Sequence, residues 1–114
     1  MTVNLGEMVE RLGLTVCTHP ERSEMEVTGG YAGDLLSDVM ANSKPGNVWV
    51  TIQVHPNIVA VAVLKDLTAI VLANGRQPQE ETKTKALEQG VAVLTSDRTS
   101  FELAGKLYEM LKET

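Results

Sequence analysis

Glycines are the first candidates for chemistry in this sequence, because Gly29, Gly30 and Gly33 fall close together. They follow an apolar stretch and precede a predicted helix over residues 34–40, a position where free backbone amides can bind a phosphate. The spacing is not that of a Walker loop, and Thr28 stands where a dinucleotide fingerprint would begin with glycine. We therefore favour a strand-to-helix turn that uses glycine's access to positive φ, with anion binding as the alternative.

Carboxylates, histidines and the single cysteine are the next candidates. Asp34 and Asp38 lie four residues apart on one predicted helix face, a pattern that can serve acid–base or metal chemistry. We interpret them as a first-turn acid and a solvent-exposed acid. Cys17, His19 and His55 are potential metal ligands, but they lack a standard zinc spacing. We therefore predict no metal site and, in the absence of a nucleophile–base pair, no catalytic residue.

Polar residues at the predicted strand ends form a further group. Open α/β sheets bind ligands at the carboxyl edge of their strands, and Arg76 and Arg98 are predicted to lie there in an otherwise acidic chain. These residues are consistent either with a pocket for a nucleotide or another anionic metabolite or with the ordinary polar loops at such an edge, and we predict no cofactor. The predicted ligand-binding residues are Thr28, Gly29, Gly30, Gln53, His55, Asn74, Gly75, Arg76, Ser96, Asp97 and Arg98.

Composition narrows the class of protein. The 114 residues are 43% hydrophobic, which suffices for one core, and the net charge of −5 argues against non-specific nucleic-acid binding. One cysteine fits a reducing compartment, and the amino-terminal residues lack a signal-peptide core. The longest apolar run, residues 58–64, is too short to span a membrane. These features predict a cytoplasmic domain that contacts neither nucleic acid nor membrane.

Hydrophobic periodicity predicts elements in the order αββαβαβαβα. The first helix begins at Asn4 and ends at Gly13, and the last one begins with a capping box at Thr99. On their own pattern residues 58–64 fit a strand or a buried helix, and we choose the helix because it completes a βαβ unit. The strands are predicted at residues 14–17, 25–29, 48–54, 69–73 and 91–95. The apolar face of the last helix is predicted to contain Phe101, Ala104, Leu107, Tyr108 and Leu111.

This order predicts one domain over residues 1–114. The alternation of strands and helices is typical of a three-layer α/β sandwich, with an open, mostly parallel sheet of about five strands and helices on both faces. In such a sandwich the short apolar strands are buried on both sides.

The stretch over residues 27–111 resembles a DRTGG domain. The resemblance rests on the Thr-Gly-Gly-Tyr-x-x-Asp-Leu-Leu-Ser-Asp-Val run from Thr28, followed by "WVTIQVHPN", "IVLANGRQP" and "SDRTSFELAGKLYE" in that order. It implies an α/β sandwich similar to the amino-terminal domain of HPr kinase/phosphorylase, to inserts between CBS domains of some pyrophosphatases and to a segment of long phosphotransacetylases. It also implies a helix at residues 58–64. No activity is defined for the family, and the P-loop of HPr kinase lies in another domain.

Three functions remain as candidates. We favour a non-catalytic regulatory or interaction module that forms a homodimer, with Met40, Tyr108 and Met110 as candidate contacts. The alternative is a sensor that binds a nucleotide or another anionic metabolite at the carboxyl edge of the sheet. The third candidate is a phosphoryl-transfer enzyme, which is supported only by the proteins in which the family's relatives occur.

Overall fold

The structure, a computed structural model, describes residues 3–113. Strands and helices alternate along most of this length. In chain order the elements are β1 (Val3–Asn4), α1 (Leu5–Leu12), β2 (Thr15–Val16), a 3-10 helix (Pro20–Glu24), β3 (Glu26–Val27), β4 (Gly29–Ala32), α2 (Leu36–Asn42), β5 (Asn47–Thr51), α3 (Asn57–Lys65), β6 (Ala69–Leu72), α4 (Glu80–Gln89), β7 (Ala92–Thr95) and α5 (Ser100–Lys112).

A five-stranded sheet with the order β2-β7-β6-β5-β4 forms the middle layer. Strands β4 to β7 run parallel, and β2 joins β7 antiparallel at one edge. The central strands β5, β6 and β7 are buried along their whole length, as expected for parallel strands covered on both faces. The predicted fold class, an α/β sandwich with a mostly parallel sheet of about five strands, is confirmed.

The helices divide between the two faces of the sheet. Leu5 and Met8 of α1 and Leu103 of α5 belong to one hydrophobic cluster. Val39 of α2 and Ile58 of α3 belong to a second cluster, which also includes Ala86 of α4. The helix predicted over residues 58–64 is therefore confirmed as α3. Within residues 3–113 no helix is both long and apolar enough to cross a membrane.

The capping signals in the sequence predict two helix starts correctly. The Asn4 side chain accepts a hydrogen bond from the Glu7 amide at 2.8 Å, and Thr99 forms a full capping box with Glu102. Gly13 ends α1 in the left-handed region, with φ of 64°. These starts depend on neighbours three residues apart, which is why the local sequence suffices to find them.

The predicted apolar face of α5 is partly wrong. Leu103, Leu107 and Met110 are the buried residues of this helix, whereas Phe101 is 87% exposed and Tyr108 is 66% exposed. The stripe that packs is therefore rotated relative to the predicted one and shares only Leu107 among its buried members. Met110 lies in the core, so it cannot serve as the exposed dimer contact that the sequence suggested.

The strand predicted over residues 25–29 is also wrong in its extent. Val27 pairs with Val3 in a separate two-stranded sheet, and β4 begins at Gly29. The polar loop expected before this strand contains the 3-10 helix over Pro20–Glu24. A small second sheet with such short strands leaves no periodic pattern long enough to read from the sequence.

Candidate functional site

The loops after β6 and β7 lie together at the carboxyl edge of the sheet. The Asn74 amide donates to the Arg98 carbonyl at 2.7 Å, and the Gly75 amide donates to the Ser96 carbonyl at 2.9 Å. Asn74 and Gly75 both have positive φ, which lets the chain turn sharply after β6. The buried Ser96 hydroxyl accepts from the Arg98 amide at 3.1 Å. Four predicted site residues, Asn74, Gly75, Ser96 and Arg98, are thus brought to one place, and Arg76 and Asp97 lie on the same two loops.

Arg98 is held by the protein itself. Its guanidinium donates to the Leu12 carbonyl at 2.8 Å, and Leu12 is the last residue of α1. A cation at a helix carboxyl terminus is stabilised by the unpaired carbonyls and the helix dipole. The arginine therefore has a structural contact that ties the β7 loop to α1, which the sequence did not predict.

Arg76 and His55 are the more accessible groups. Both are exposed, and the Arg76 guanidinium has no hydrogen-bond or salt-bridge partner within the part of the chain that the structure describes. The His55 Nδ1 accepts from the Asn57 amide at 3.1 Å, which orients the ring at the start of α3. These two side chains are therefore available to a ligand in a way that Arg98 is not.

Asp34 connects the loops after β4 and β5. Its Oδ1 accepts from the Thr51 hydroxyl at 2.8 Å and from the Ile52 amide at 2.9 Å. The Gln53 side chain donates to the Asp34 carbonyl at 3.0 Å. Asp34 precedes α2, which begins at Leu36, so the interpretation as a first-turn helix acid is wrong. Gln53 lies at the predicted edge, but its amide is engaged in this loop contact.

Asp38 is a partner of Tyr31 and Asn42, not a bare solvent-exposed acid. It accepts from the Tyr31 hydroxyl, and its other oxygen accepts from the Asn42 side chain at 3.0 Å. The hydrogen bond to this carboxylate raises the pKa of Tyr31 above its ordinary value. Asp38 and Asp34 therefore work in separate contacts and do not form a carboxylate pair. Periodicity within one helix could not show the Tyr31 contact, because it reaches across from β4.

The glycine stretch lies away from the arginines. Gly29 and Gly30 begin β4, and Thr28 precedes it, so all three are at the amino end of the strand. The Thr28 hydroxyl donates to the Pro45 carbonyl at 3.1 Å, in the loop that leads into β5. The expected strand-to-helix turn at Gly29-Gly30 is wrong, and so is the placement of these residues at the carboxyl edge. Neither glycine has positive φ.

Close packing explains Gly30 instead. A Cβ built at Gly30 would lie 2.8 Å from the Leu107 Cδ2 of α5. Glycine therefore lets α5 approach β4 closely. The positive φ in this region belongs to Gly46, at 84°, where a Cβ would lie 2.5 Å from the Thr28 Oγ1.

His19 forms a structural contact at the opposite edge strand. Its Nδ1 lies 2.6 Å from a Glu21 carboxylate oxygen, and its Nε2 lies 3.0 Å from the Ala86 carbonyl. Two acceptors suit an imidazolium with both nitrogens protonated, and the Glu21 hydrogen bond raises the pKa of His19. Cys17 is a half-buried free thiol. Among residues 3–113 no three potential metal ligands come together.

A groove of about 540 Å³ between α3 and α4 begins beside His55. Its walls combine apolar residues of α3 with Lys85 and Gln89 of α4. The sequence analysis did not identify this groove. The sequence does contain a signal for it. Helix α3 is apolar on nearly every side, and a helix of that kind is expected to be covered by other segments. The groove residues are His55, Pro56, Asn57, Val59, Ala60, Val63, Leu64, Lys85 and Gln89.

No protein-family model matches the sequence, and no curated protein sequence is significantly similar to it. A solved structure with a similar fold contains the CBS and DRTGG domains of the regulatory region of Clostridium perfringens pyrophosphatase, in complex with its activator diadenosine tetraphosphate. The TM-score is 0.72 at 17% sequence identity, and the match covers 92% of this chain and 45% of that chain. At this identity the likeness supports a DRTGG-like fold, and the chain spans less than half of that regulatory region.

Proposed function

We propose that this chain is a non-catalytic regulatory module of the DRTGG type, which forms a homodimer and acts beside a separate enzyme. The observation that carries the proposal is the fold likeness, over 92% of the chain, to a structure of a regulatory region. The resemblance of residues 27–111 to a DRTGG domain agrees with such a role, because no activity is defined for that family. A reducing setting such as the cytoplasm fits the free thiol of Cys17.

The chemistry of the carboxyl edge supports a role without catalysis. Asp34 uses its carboxylate to accept two hydrogen bonds within the loops, and Arg98 donates to the end of α1. A general base must be free to take a proton from a substrate, and a phosphoryl-transfer site must present cations to the transferred group. Side chains already engaged in loop contacts are better suited to hold a binding surface in shape.

A second candidate function is sensing of a nucleotide or another anionic metabolite at this edge. One feature favours it: Arg76 is an exposed cation, on a loop held by backbone hydrogen bonds, without a partner among residues 3–113. A guanidinium on a fixed loop binds phosphate in a defined geometry at low entropic cost. The groove that begins at His55 offers an apolar surface to the rest of such a ligand.

A thermal-shift series tests the sensing function. The probes are AMP, ATP, diadenosine tetraphosphate and inorganic phosphate, each added to the purified chain. A ligand at one hundred times its dissociation constant should raise the stability by about 2.7 kcal/mol. Arg76→Gln should remove most of the shift and leave the melting temperature without ligand unchanged, because the Arg76 guanidinium has no hydrogen bond or ion pair to lose among residues 3–113.

Lys44→Gln is the matched control, since it removes one exposed positive charge at the amino edge of the sheet, just before β5. It should keep the full shift. If no probe shifts the melting temperature, or if Lys44→Gln weakens binding as much as Arg76→Gln does, the sensing function is contradicted. The non-catalytic proposal is contradicted separately, by ATP turnover that a single substitution in this chain abolishes.

A further inference from the structure

Strand β4 leaves its outer edge open. It pairs with β5 alone among the described strands, and it is the last strand of the sheet on that side. The Gly33 amide donates to the Val50 carbonyl of β5 at 3.1 Å. Because backbone groups alternate in direction along a strand, the amides and carbonyls of Gly30 and Ala32 point away from β5. These groups form a short template for another strand.

Nothing within β4 protects this template. Proteins usually shield an edge strand with a lysine, a proline or an inward-pointing charge. The strand reads Gly-Gly-Tyr-Ala, with none of these residues, and both Gly30 and Ala32 are exposed. An unprotected edge of this kind is available for pairing with another strand.

An apolar groove runs beside the open edge, between β4 and α5. Its volume is about 160 Å³, and none of the residues that line it is charged. Tyr108 stands on its rim and is 66% exposed, so a partner could bury a large apolar side chain there. The lining residues are Gly30, Tyr31, Ala32, Val50, Ala104, Leu107, Tyr108 and Leu111.

We propose that β4 pairs antiparallel with β4 of a second copy of this chain, so that the two sheets become continuous. This inference rests on the homodimer of the proposed function and assigns its interface. A two-fold axis at Tyr31 places Gly30 opposite Ala32 of the second copy, and every outward amide and carbonyl of these residues then finds an acceptor or a donor. An antiparallel pair of identical strands is symmetric by construction, which makes the second copy a natural occupant.

Charge and size favour this occupant. The chain carries a net charge of −5, so two copies repel each other wherever acidic surfaces meet. The uncharged strand and groove are a surface at which that repulsion is small. Gly30 and Ala32 project little or nothing from their strand, and the backbones can therefore approach to pairing distance. The exposed Tyr108 rings of the two copies lie beside the new strand pair.

Ala32→Lys tests the inference by light scattering. The wild-type chain should have the mass of two chains at high micromolar concentration. Ala32→Lys brings two like charges close to the two-fold axis and should shift the mass to one chain, with an unchanged circular dichroism spectrum. Ala32→Pro is the second variant: it removes an outward amide that β5 does not use, and an edge strand accepts proline at such a position. It should dissociate the dimer as well.

Ala60→Lys is the matched control, on the exposed apolar side of α3. It should leave the dimer intact. A dimer that survives Ala32→Lys and dissociates with Ala60→Lys places the interface on α3 and overturns the β4 pairing, while the dimer itself stands. A wild-type chain that stays monomeric overturns both the pairing and the dimer. The ligand-dependent thermal shift is measured independently, so the sensing function is judged on its own.

Discussion

The two edges of the central sheet are built in opposite ways. At the β2 edge the chain continues into a segment that hydrogen-bonds to Val91 and Val93, whereas no further strand pairs with β4 among residues 3–113. Strand β2 has only two residues and β4 has four. A short edge strand resists pairing with other chains, and a longer, uncharged one invites it.

Thr18 makes the main side-chain hydrogen bonds at the β2 edge. Its hydroxyl donates to the Val91 carbonyl at 2.7 Å and accepts from the Val93 amide at 2.8 Å, and the side chain is 1% exposed. The Cys17 amide adds a bond to the Val93 carbonyl at 2.8 Å. These contacts satisfy the Val91 carbonyl and the Val93 amide and carbonyl, which lie beyond the two residues that β2 pairs with β7. The comparison teaches that hydrogen bonds beyond its last residue anchor the chain that follows β2, whereas β4 pairs with β5 alone among the described strands.

Thr18→Val should produce the largest loss of stability among the changes considered. Valine has nearly the same shape, so the substitution removes both hydrogen bonds and leaves the Val91 carbonyl and the Val93 amide buried and unpaired. We expect a loss of about 2–4 kcal/mol in the free energy of unfolding, because each unsatisfied buried group costs about 1–3 kcal/mol. Urea denaturation measures it.

Thr15→Val is the control for that experiment, since Thr15 is an exposed residue of the same edge strand. Its effect should stay within about 0.5 kcal/mol. Equal stabilities of the two variants would show that Thr18 does not hold this edge. Neither variant should change the oligomeric state, because the β2 edge is not the one assigned to the dimer.

Two glycines near β4 should differ in sensitivity. Gly46→Ala forces alanine to a φ of 84° and brings its Cβ within 2.5 Å of the Thr28 hydroxyl oxygen, so we expect a loss of about 1–3 kcal/mol. Gly30→Ala meets the end of the Leu107 side chain at 2.8 Å, which can shift, and should cost about 1 kcal/mol. Thermal unfolding of both variants measures the order. A larger loss for Gly30→Ala would show that glycine is required more strongly at position 30 than at position 46.

His19 should give the smallest effect, a pH dependence at the β2 edge. The Glu21 hydrogen bond raises the pKa of His19 above 6.5 and lowers the pKa of Glu21 below 4.5. The His19 contribution is therefore complete below pH 6.5 and is lost as the pH rises through the raised value, and the Glu21 contribution is lost as the pH falls through the lowered value. The melting temperature should decline slightly as the pH rises above 6.5.

His19→Gln supplies the comparison for this pH series, because glutamine keeps hydrogen-bonding capacity without a titrating charge. Its melting temperature should change less between pH 6 and 8 than that of the wild type, because the substitution removes the titration of one histidine. The same decline in both proteins would assign the pH dependence to another group. Oligomeric state should not follow His19, because this residue follows β2 and the proposed interface lies at β4, at the other end of the sheet.

Local signals in the sequence predicted much of the fold. The caps at Asn4 and Thr99 depend on residues three positions away, and β5, β6 and β7 are continuous apolar runs, so both kinds of element could be found without tertiary information. The role of Gly30 could not, because it depends on Leu107 from a helix near the other end of the chain. Two adjacent glycines are typical of a turn. In the structure this pair begins β4, and Gly30 packs closely against Leu107 of α5.

The candidate site was predictable only as a location. The loops with Arg76 and Arg98 do lie at one edge of the sheet, as the strand order implies. The sequence could not separate the two arginines, because the difference depends on the carbonyl of Leu12 at the end of α1. Charge and position mark both residues equally, and only the folded contact shows which one is free for a ligand.

Amide hydrogen exchange, measured residue by residue by NMR, tests most directly the claim that the open β4 edge joins two copies of this module. The Gly30 and Ala32 amides should exchange quickly at low concentration and slowly at high micromolar concentration, as they enter the strand pair. The Gly33 amide, which donates to Val50 within one copy, should be protected at both concentrations. Rates at Gly30 and Ala32 that do not change with concentration, while scattering shows a dimer, would contradict the claim.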